Sequence, residues 1–159
     1  MLKKIREATK DDKGFTLIEL MVVVLIIAIL IAIAIPTFLG LRRRAQDRSA
    51  QSNLRNGLTA AKAYFTDADT YTGFVADAPA PNTNDGEGIE PSLTWVDGAP
   101  GAATIGTVGI TQVTPTQLTL EVRSASTARF CIADDTAAGT VRGVGAAATW
   151  AACNLLVDW

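Results

Sequence analysis

The sequence predicts an α+β protein: a long N-terminal α-helix, membrane-spanning in its first half, packed through its second half on a small antiparallel β-sheet. Three observations carry that expectation. An apolar run fills 15–35, an apolar stripe at helical spacing follows over 50–65, and β-rich segments separated by turn residues lie between 92 and 144. The chain has 159 residues, 48% of them hydrophobic and 19% charged, with a formal charge of −2. It contains no histidine, which excludes a Ser-His-Asp or Cys-His catalytic set and any zinc site that needs imidazole. Fourteen basic residues against sixteen acidic ones give no global excess for gripping a phosphate backbone, so no nucleic-acid partner is predicted.

The apolar content is concentrated in one place. Sixteen residues, 20–35, run without a polar side chain, and within 15–35 the only interruptions are Thr16 and Glu19. As a helix this window is roughly 31 Å long, the thickness of a bilayer's hydrocarbon core at about 30 Å. The rest of the chain is ordinary, slightly lean soluble composition. A secretory signal would have a shorter apolar stretch and a small-residue exit, whereas Pro36-Thr37-Phe38 follows here. Basic residues on the two flanks (Lys3, Lys4, Arg6, Lys10 and Lys13 before the run; Arg42, Arg43, Arg44 and Arg48 after it) nearly balance, so charge alone leaves the topology open.

Glu19 is the residue that a plain membrane anchor does not explain. A carboxylate inside an apolar span costs about 2.5–3.5 kcal/mol on insertion scales and normally has a partner or a function. With its neighbours it forms Lys13-Gly14-Phe15-Thr16-Leu17-Ile18-Glu19-Leu20. This segment resembles the processing motif of type IV pilins and of the related type II secretion pseudopilins: a short basic leader ending in Gly, an aromatic start, Thr-Leu-Ile-Glu-Leu, then an unbroken apolar helix. Pro36 also stands where family members commonly carry a proline. The resemblance covers about the first 50 residues.

The resemblance implies a pilin-like fold and a division into a leader, 1–14, an assembly half-helix, 15–40, and a globular domain, 41–159. A prepilin peptidase would cut between Gly14 and Phe15 and methylate the new amine of Phe15. Glycine suits the cut because it lets a protease approach the backbone closely. Removal of the leader leaves nine basic and thirteen acidic side chains, a net of −4. Glu19 would then pair with the cationic Phe15 terminus of a neighbouring subunit and set axial register. The implied partners are other copies of the chain in a helical filament, the peptidase and methyltransferase, the pilus assembly platform and the membrane. The implied location is the cytoplasmic membrane, single-pass with the N-terminus inside, and after assembly an extracellular filament. A minor pilin or a pseudopilin is the alternative within the family. An uncleaved, membrane-anchored binding or enzymatic domain is the alternative of another class.

Pro36 removes a backbone donor, so a kink or local melting is predicted over 36–40. Beyond it Ala50, Leu54, Leu58, Ala61 and Phe65 recur on one helical face, with Arg48, Gln51, Arg55 and Lys62 off the stripe. The amphipathic helix is expected over 41–70, ending near 66–72 where Asp67, Asp69 and Thr70 favour a turn. The segment 71–103 reads as a loop, with four of the six prolines between 73 and 100. Asn82, Asn84, Asp85, Glu87 and Glu90 offer oxygen ligands but lack the spacing of an EF-hand, so an exposed turn and no metal or other cofactor are predicted.

The remainder, 104–159, reads as antiparallel sheet with a C-terminal region. Gln117-Leu118-Thr119-Leu120-Glu121-Val122-Arg123 alternates strictly, as a half-buried strand does, with neighbours at 92–96, 104–113, 128–133 and 140–144. Cys131 and Cys153 are the only cysteines. An even count in an exported domain points to a disulfide, as the resemblance also implies, and the 23-residue loop it closes is worth about 3 kcal/mol. The acidic groups Asp67/Asp69, Asp85/Glu87/Glu90 and Asp134/Asp135 read as turn residues, so no enzyme is predicted. Trp150 and Trp159 are placed in or beside the disulfide region, with no basic cluster to support ligand stacking. Arg42, Arg43 and Arg44 read as a solvated helix flank just past the membrane.

Overall fold

A computed structural model of the chain describes residues 14–77, 85–101 and 104–159. Residues 1–13 of the expected leader, together with Asn82 and Asn84, lie outside the described residues. The elements are α1 (Leu17–Ala68), α2 (Gly86–Ile89), β1 (Trp95–Asp97), β2 (Val108–Val113), β3 (Gln117–Arg123), β4 (Arg129–Asp135), β5 (Gly139–Val144) and α3 (Trp150–Asn154). The chain divides into two compact units between Leu41 and Arg42.

The first unit is helical from Leu17 onward and is long and apolar enough to cross a membrane. None of its described side chains, 14–41, is buried. A helix that is apolar all round needs lipid or other protein around it, because water would have to cage every face. A kink or local melting was expected over 36–40; the helix runs through Pro36 without melting. Proline removes one donor, while the ladder bonds on either side persist. Next to it the Thr37 hydroxyl donates to the Ile33 carbonyl at 3.1 Å, one residue on from the Ala32 carbonyl that Pro36 leaves without its helical donor.

In the second unit the expected stripe is the buried face of α1: Ala50, Leu54, Gly57, Leu58, Ala60 and Ala61 are buried, and Phe65 packs beside them. They meet Trp95, Val108, Leu118, Leu120 and Val122 in one core. Gly57 permits the approach, since a Cβ there would come within 3.2–3.3 Å of Trp95, Leu120 and Val108. The helix ends where Asp69 turns into the left-handed region at φ 54°, with its N–H bonded to the Phe65 carbonyl at 2.8 Å.

The sheet order is β1-β2-β3-β4-β5. Three of the pairings are antiparallel, but β1 runs parallel to β2, which corrects the expectation of a purely antiparallel sheet. Ten residues, 98–107, make the return. They fit because Gly109 of β2 has no side chain: a Cβ there would lie 2.3 Å from the Gly98 carbonyl oxygen and 2.5 Å from Pro100. Gly109→Ala is therefore expected to cost about 2 kcal/mol, seen as a Tm lower by about 8 °C. Gly101→Ala, whose Cβ would meet nothing closer than Thr104 Oγ1 at 3.9 Å, should leave the melt unchanged.

Strand β3 has the predicted bounds but is not half-buried; all five of its inner residues are buried. Leu118, Leu120 and Val122 face α1 through the core just described, and the other face is roofed by 98–101 and by α3. Its polar side chains are satisfied under that roof. Thr119 donates to Gln112 Oε1 at 3.1 Å, and the same oxygen accepts the Trp150 N–H at 2.7 Å. Glu121 pairs with Arg129, which also donates to the Pro100 carbonyl at 3.2 Å. Such pairing is what allows a carboxylate to be buried.

The segment 71–103, expected to be loop apart from a strand over 92–96, contains α2 and β1 and supplies a share of the core. Tyr71, Phe74, Ala76, Leu93 and Trp95 are buried, with Phe74 edge-on to Trp95 at 5.7 Å and Phe65 against Tyr71 at 4.7 Å. The expected exposed turn around Asp85 is also corrected. Asp85 is buried and caps α2, its side chain accepting the Gly88 N–H at 2.6 Å, and a Cβ on Gly86 would strike Trp95 at 2.7 Å.

Candidate processing and assembly site

Gly14, Phe15 and Thr16 precede the first helical residue, so the Gly14–Phe15 bond lies in non-helical backbone. All three are exposed, Phe15 at 81%, and a Cβ on Gly14 would meet nothing within 4 Å. A peptide bond free of helical hydrogen bonds, beside a residue without a side chain, is one a protease can bind in extended form.

Glu19 has a local role that the sequence reading missed. Thr16 N-caps α1, and Glu19 sits three residues later. Its Oε2 accepts the Thr16 N–H at 2.9 Å and the Thr16 hydroxyl at 2.7 Å, while Thr16 Oγ1 accepts the Glu19 N–H at 3.3 Å. This reciprocal arrangement is a capping box, and Thr-x-x-Glu ahead of an apolar run was its visible signal. It gives the carboxylate hydrogen-bond partners within its own chain and a favourable place at the positive end of the helix dipole. Pro36 lies a further 17 residues along the same helix, away from this cluster.

Cys131 and Cys153 are joined, with Cα atoms 6.0 Å apart, and tie α3 to β4 beneath Ala133, Ala147 and Leu156. Trp159 lies over this region. Its ring is edge-on to Phe130 at 6.1 Å, its indole N–H donates to the Cys131 carbonyl at 3.2 Å, and two guanidinium groups lie over it, Arg55 at 4.8 Å and Arg142 at 5.6 Å. Cations do gather around this tryptophan, contrary to expectation, and they occupy the ring themselves.

Of the acidic groups, Asp67 and Asp69 are exposed at the helix end as expected. Asp134 is not a turn residue. It is buried in β4, where Tyr71 donates to its Oδ2 at 2.7 Å, Lys62 Nζ lies 2.9 Å from its Oδ1, and the Thr140 hydroxyl donates to the same oxygen. Burial pushes this carboxyl up, but the bonds from Thr140, Lys62 and Tyr71 and the Lys62 charge outweigh it and hold the group below its ordinary range. Burial, then the Asp134 carboxylate, push the Tyr71 phenol well up. The four residues lock α1, the 70–74 turn, β4 and β5 together. They form no cleft around a reactive atom, and the described residues contain no group of three metal-ligating side chains.

Comparison with known proteins bears on the N-terminal segment. Residues 9–35 match the family described as the prokaryotic N-terminal methylation motif. Over 64 residues the chain is 49% identical to the type IV major pilin protein PilA of Myxococcus xanthus, which is 40% of this chain and 29% of that protein. Over 63 residues it is 43% identical to the type IV wide pilus major component PilA4 of Thermus thermophilus, 40% of this chain and 48% of that one. A fimbrial protein of Pseudomonas aeruginosa is 53% identical over 53 residues, covering 33% of this chain and 34% of the relative. The chain thus spans less than half the length of each of these relatives. No solved structure matches. A match to the N-terminal methylation motif, on a helix long and apolar enough to cross a membrane, together with an α+β unit, defines a class of membrane-helix proteins. Within that class, the N-terminal segment of the chain is similar to those of type IV pilins.

Proposed function

We propose that the chain is the structural subunit of a type IV pilus, cut after Gly14, methylated on Phe15 and polymerised through the apolar part of α1. The observation that carries this reading is the exposure of every side chain over 15–41, an apolar helix preceded by an accessible Gly-Phe bond. A precursor held in the cytoplasmic membrane with its N-terminus inside buries that surface in lipid; a filament buries it against other copies. Division into leader 1–14, assembly segment 15–40 and outer domain 41–159 follows from the same reading. The partners it requires are a prepilin peptidase with methyltransferase activity and an assembly platform. The relatives' names describe pilus components, and the role proposed is structural rather than enzymatic. Filaments sheared from cells that express the chain should consist mainly of it and vanish on its deletion. Filaments that persist without it would assign it to a minor or pseudopilin role.

Glu19 has two parts in this scheme. In the single subunit it caps α1, and in the filament its carboxylate receives the Phe15 ammonium of a neighbour, fixing axial register. Glutamine can serve in a capping box but carries no charge. Glu19→Gln and Glu19→Ala are therefore both expected to lower sheared-filament yield about tenfold or more, since breaking a buried charge pair costs about 3–5 kcal/mol. Wild-type yield from Glu19→Gln would reduce the residue to its capping role.

A further inference from the structure

Arg42, Arg43, Arg44 and Arg48 follow the apolar segment directly. All four are exposed on helical backbone and make no ion pair among the described residues. At 3.6 residues per turn, Arg42, Arg43 and Arg44 leave the helix about 100° apart, and Arg48 falls roughly 40° beyond Arg44. The cations therefore encircle the helix, and the widest arc without one is about 120°. Asp47, the one acid between them, is engaged elsewhere, accepting the Ser126 hydroxyl.

The circular arrangement identifies the partner. A protein or nucleic acid approaches a helix from one side and favours a stripe, as the Ala50, Leu54 and Leu58 face of this same helix does against its sheet. A planar boundary that a helix crosses meets it at every azimuth. The apolar run that precedes the ring has the length of a bilayer core, and guanidinium groups bind phosphate oxygens in paired hydrogen bonds. We propose that Arg42, Arg43 and Arg44, with Arg48 one turn on, form a collar that binds the headgroup phosphates of anionic phospholipids and fixes the depth of the unassembled subunit. The proposal rests on the reading of 15–40 as a membrane span.

The test is lipid selectivity of the full chain in phosphatidylcholine vesicles, read as the motionally restricted fraction of trace spin-labelled phosphatidylglycerol against spin-labelled phosphatidylcholine. Wild type is expected to prefer phosphatidylglycerol by about three- to tenfold at low salt, falling toward parity as salt screens the surface. Arg42→Gln/Arg43→Gln/Arg44→Gln should bring the preference to within about twofold of parity. No preference in wild type, or an undiminished one in the triple variant, would overturn the collar. A triple variant that keeps the preference but loses filaments or DNA binding would assign the cations to a protein or nucleic-acid partner instead. If neither chain floats with the vesicles, the membrane-span reading fails, and the collar with it.

Discussion

A Gly14→Val chain is expected to accumulate as full-length, unmethylated precursor and to yield no sheared filaments. The reason is steric and local. The Gly14–Phe15 bond lies ahead of the N-cap Thr16, outside the helical ladder, and Gly14 has open space around it. A β-branched side chain at that point blocks close approach of a protease backbone and stiffens the residue that must extend across the active site. In the proposed filament the retained leader would keep five basic and three acidic residues on the end of a helix that enters an apolar core. Burying them unpaired is prohibitive. The effect should be all-or-none in filaments, while the outer domain, which does not contain Gly14, melts as in wild type. Immunoblotting for the size of the membrane-bound chain, beside microscopy of sheared material, reads both.

Asp134→Ala should have the largest effect on the outer domain. It removes the acceptor shared by Tyr71, Lys62 and Thr140 and leaves the buried phenol of Tyr71 without a partner. Orphaning a buried donor and losing a charged acceptor together cost about 2–4 kcal/mol, a Tm drop of about 10 °C or more. Lys62→Met should cost less, about 1 kcal/mol or below, because the ion pair is half exposed on the lysine side and Asp134 keeps its bonds from Tyr71 and Thr140. The carboxyl is held below its ordinary range in the folded chain, so its contribution is present above its unfolded pKa, near 3.9, and is lost as pH falls through the lower folded value. Tyr71 acts in the opposite direction. Its raised phenol contributes stability that is complete below its unfolded pKa near 10 and is lost as pH rises beyond. Chemical denaturation from pH 7 down to pH 3 should show wild type losing stability more steeply than Asp134→Asn.

What the sequence made legible was local. The motif at 13–20, the apolar run, the stripe from Ala50 to Phe65 and the bounds of β3 are periodic or contiguous, and each could be read within a short window. Contacts between distant residues could not. Tyr71 and Asp134 are 63 residues apart, and neither has neighbours that mark it as buried. The polar face of β3 looked solvent-facing because alternation reports one covered face; the second cover comes from 98–101 and α3. The 71–103 segment hid Tyr71, Phe74 and Trp95 because an aperiodic run of Pro, Gly and Asn is read as loop whether or not its aromatics reach the core. The capping box at Thr16 and Glu19 was legible but overlooked, since a carboxylate in an apolar run draws attention to a partner in another subunit before one in its own turn.

The central claim is that this chain begins its working life at Phe15. Intact-mass and N-terminal fragment measurement on the chain recovered from sheared filaments, or from membranes of cells with a prepilin peptidase, tests it most directly. The mature chain should start at Phe15 and carry one added methyl group on its amine. A chain that retains Met1 or any other leader residue through Gly14 would contradict the account and leave an uncleaved anchored domain in its place.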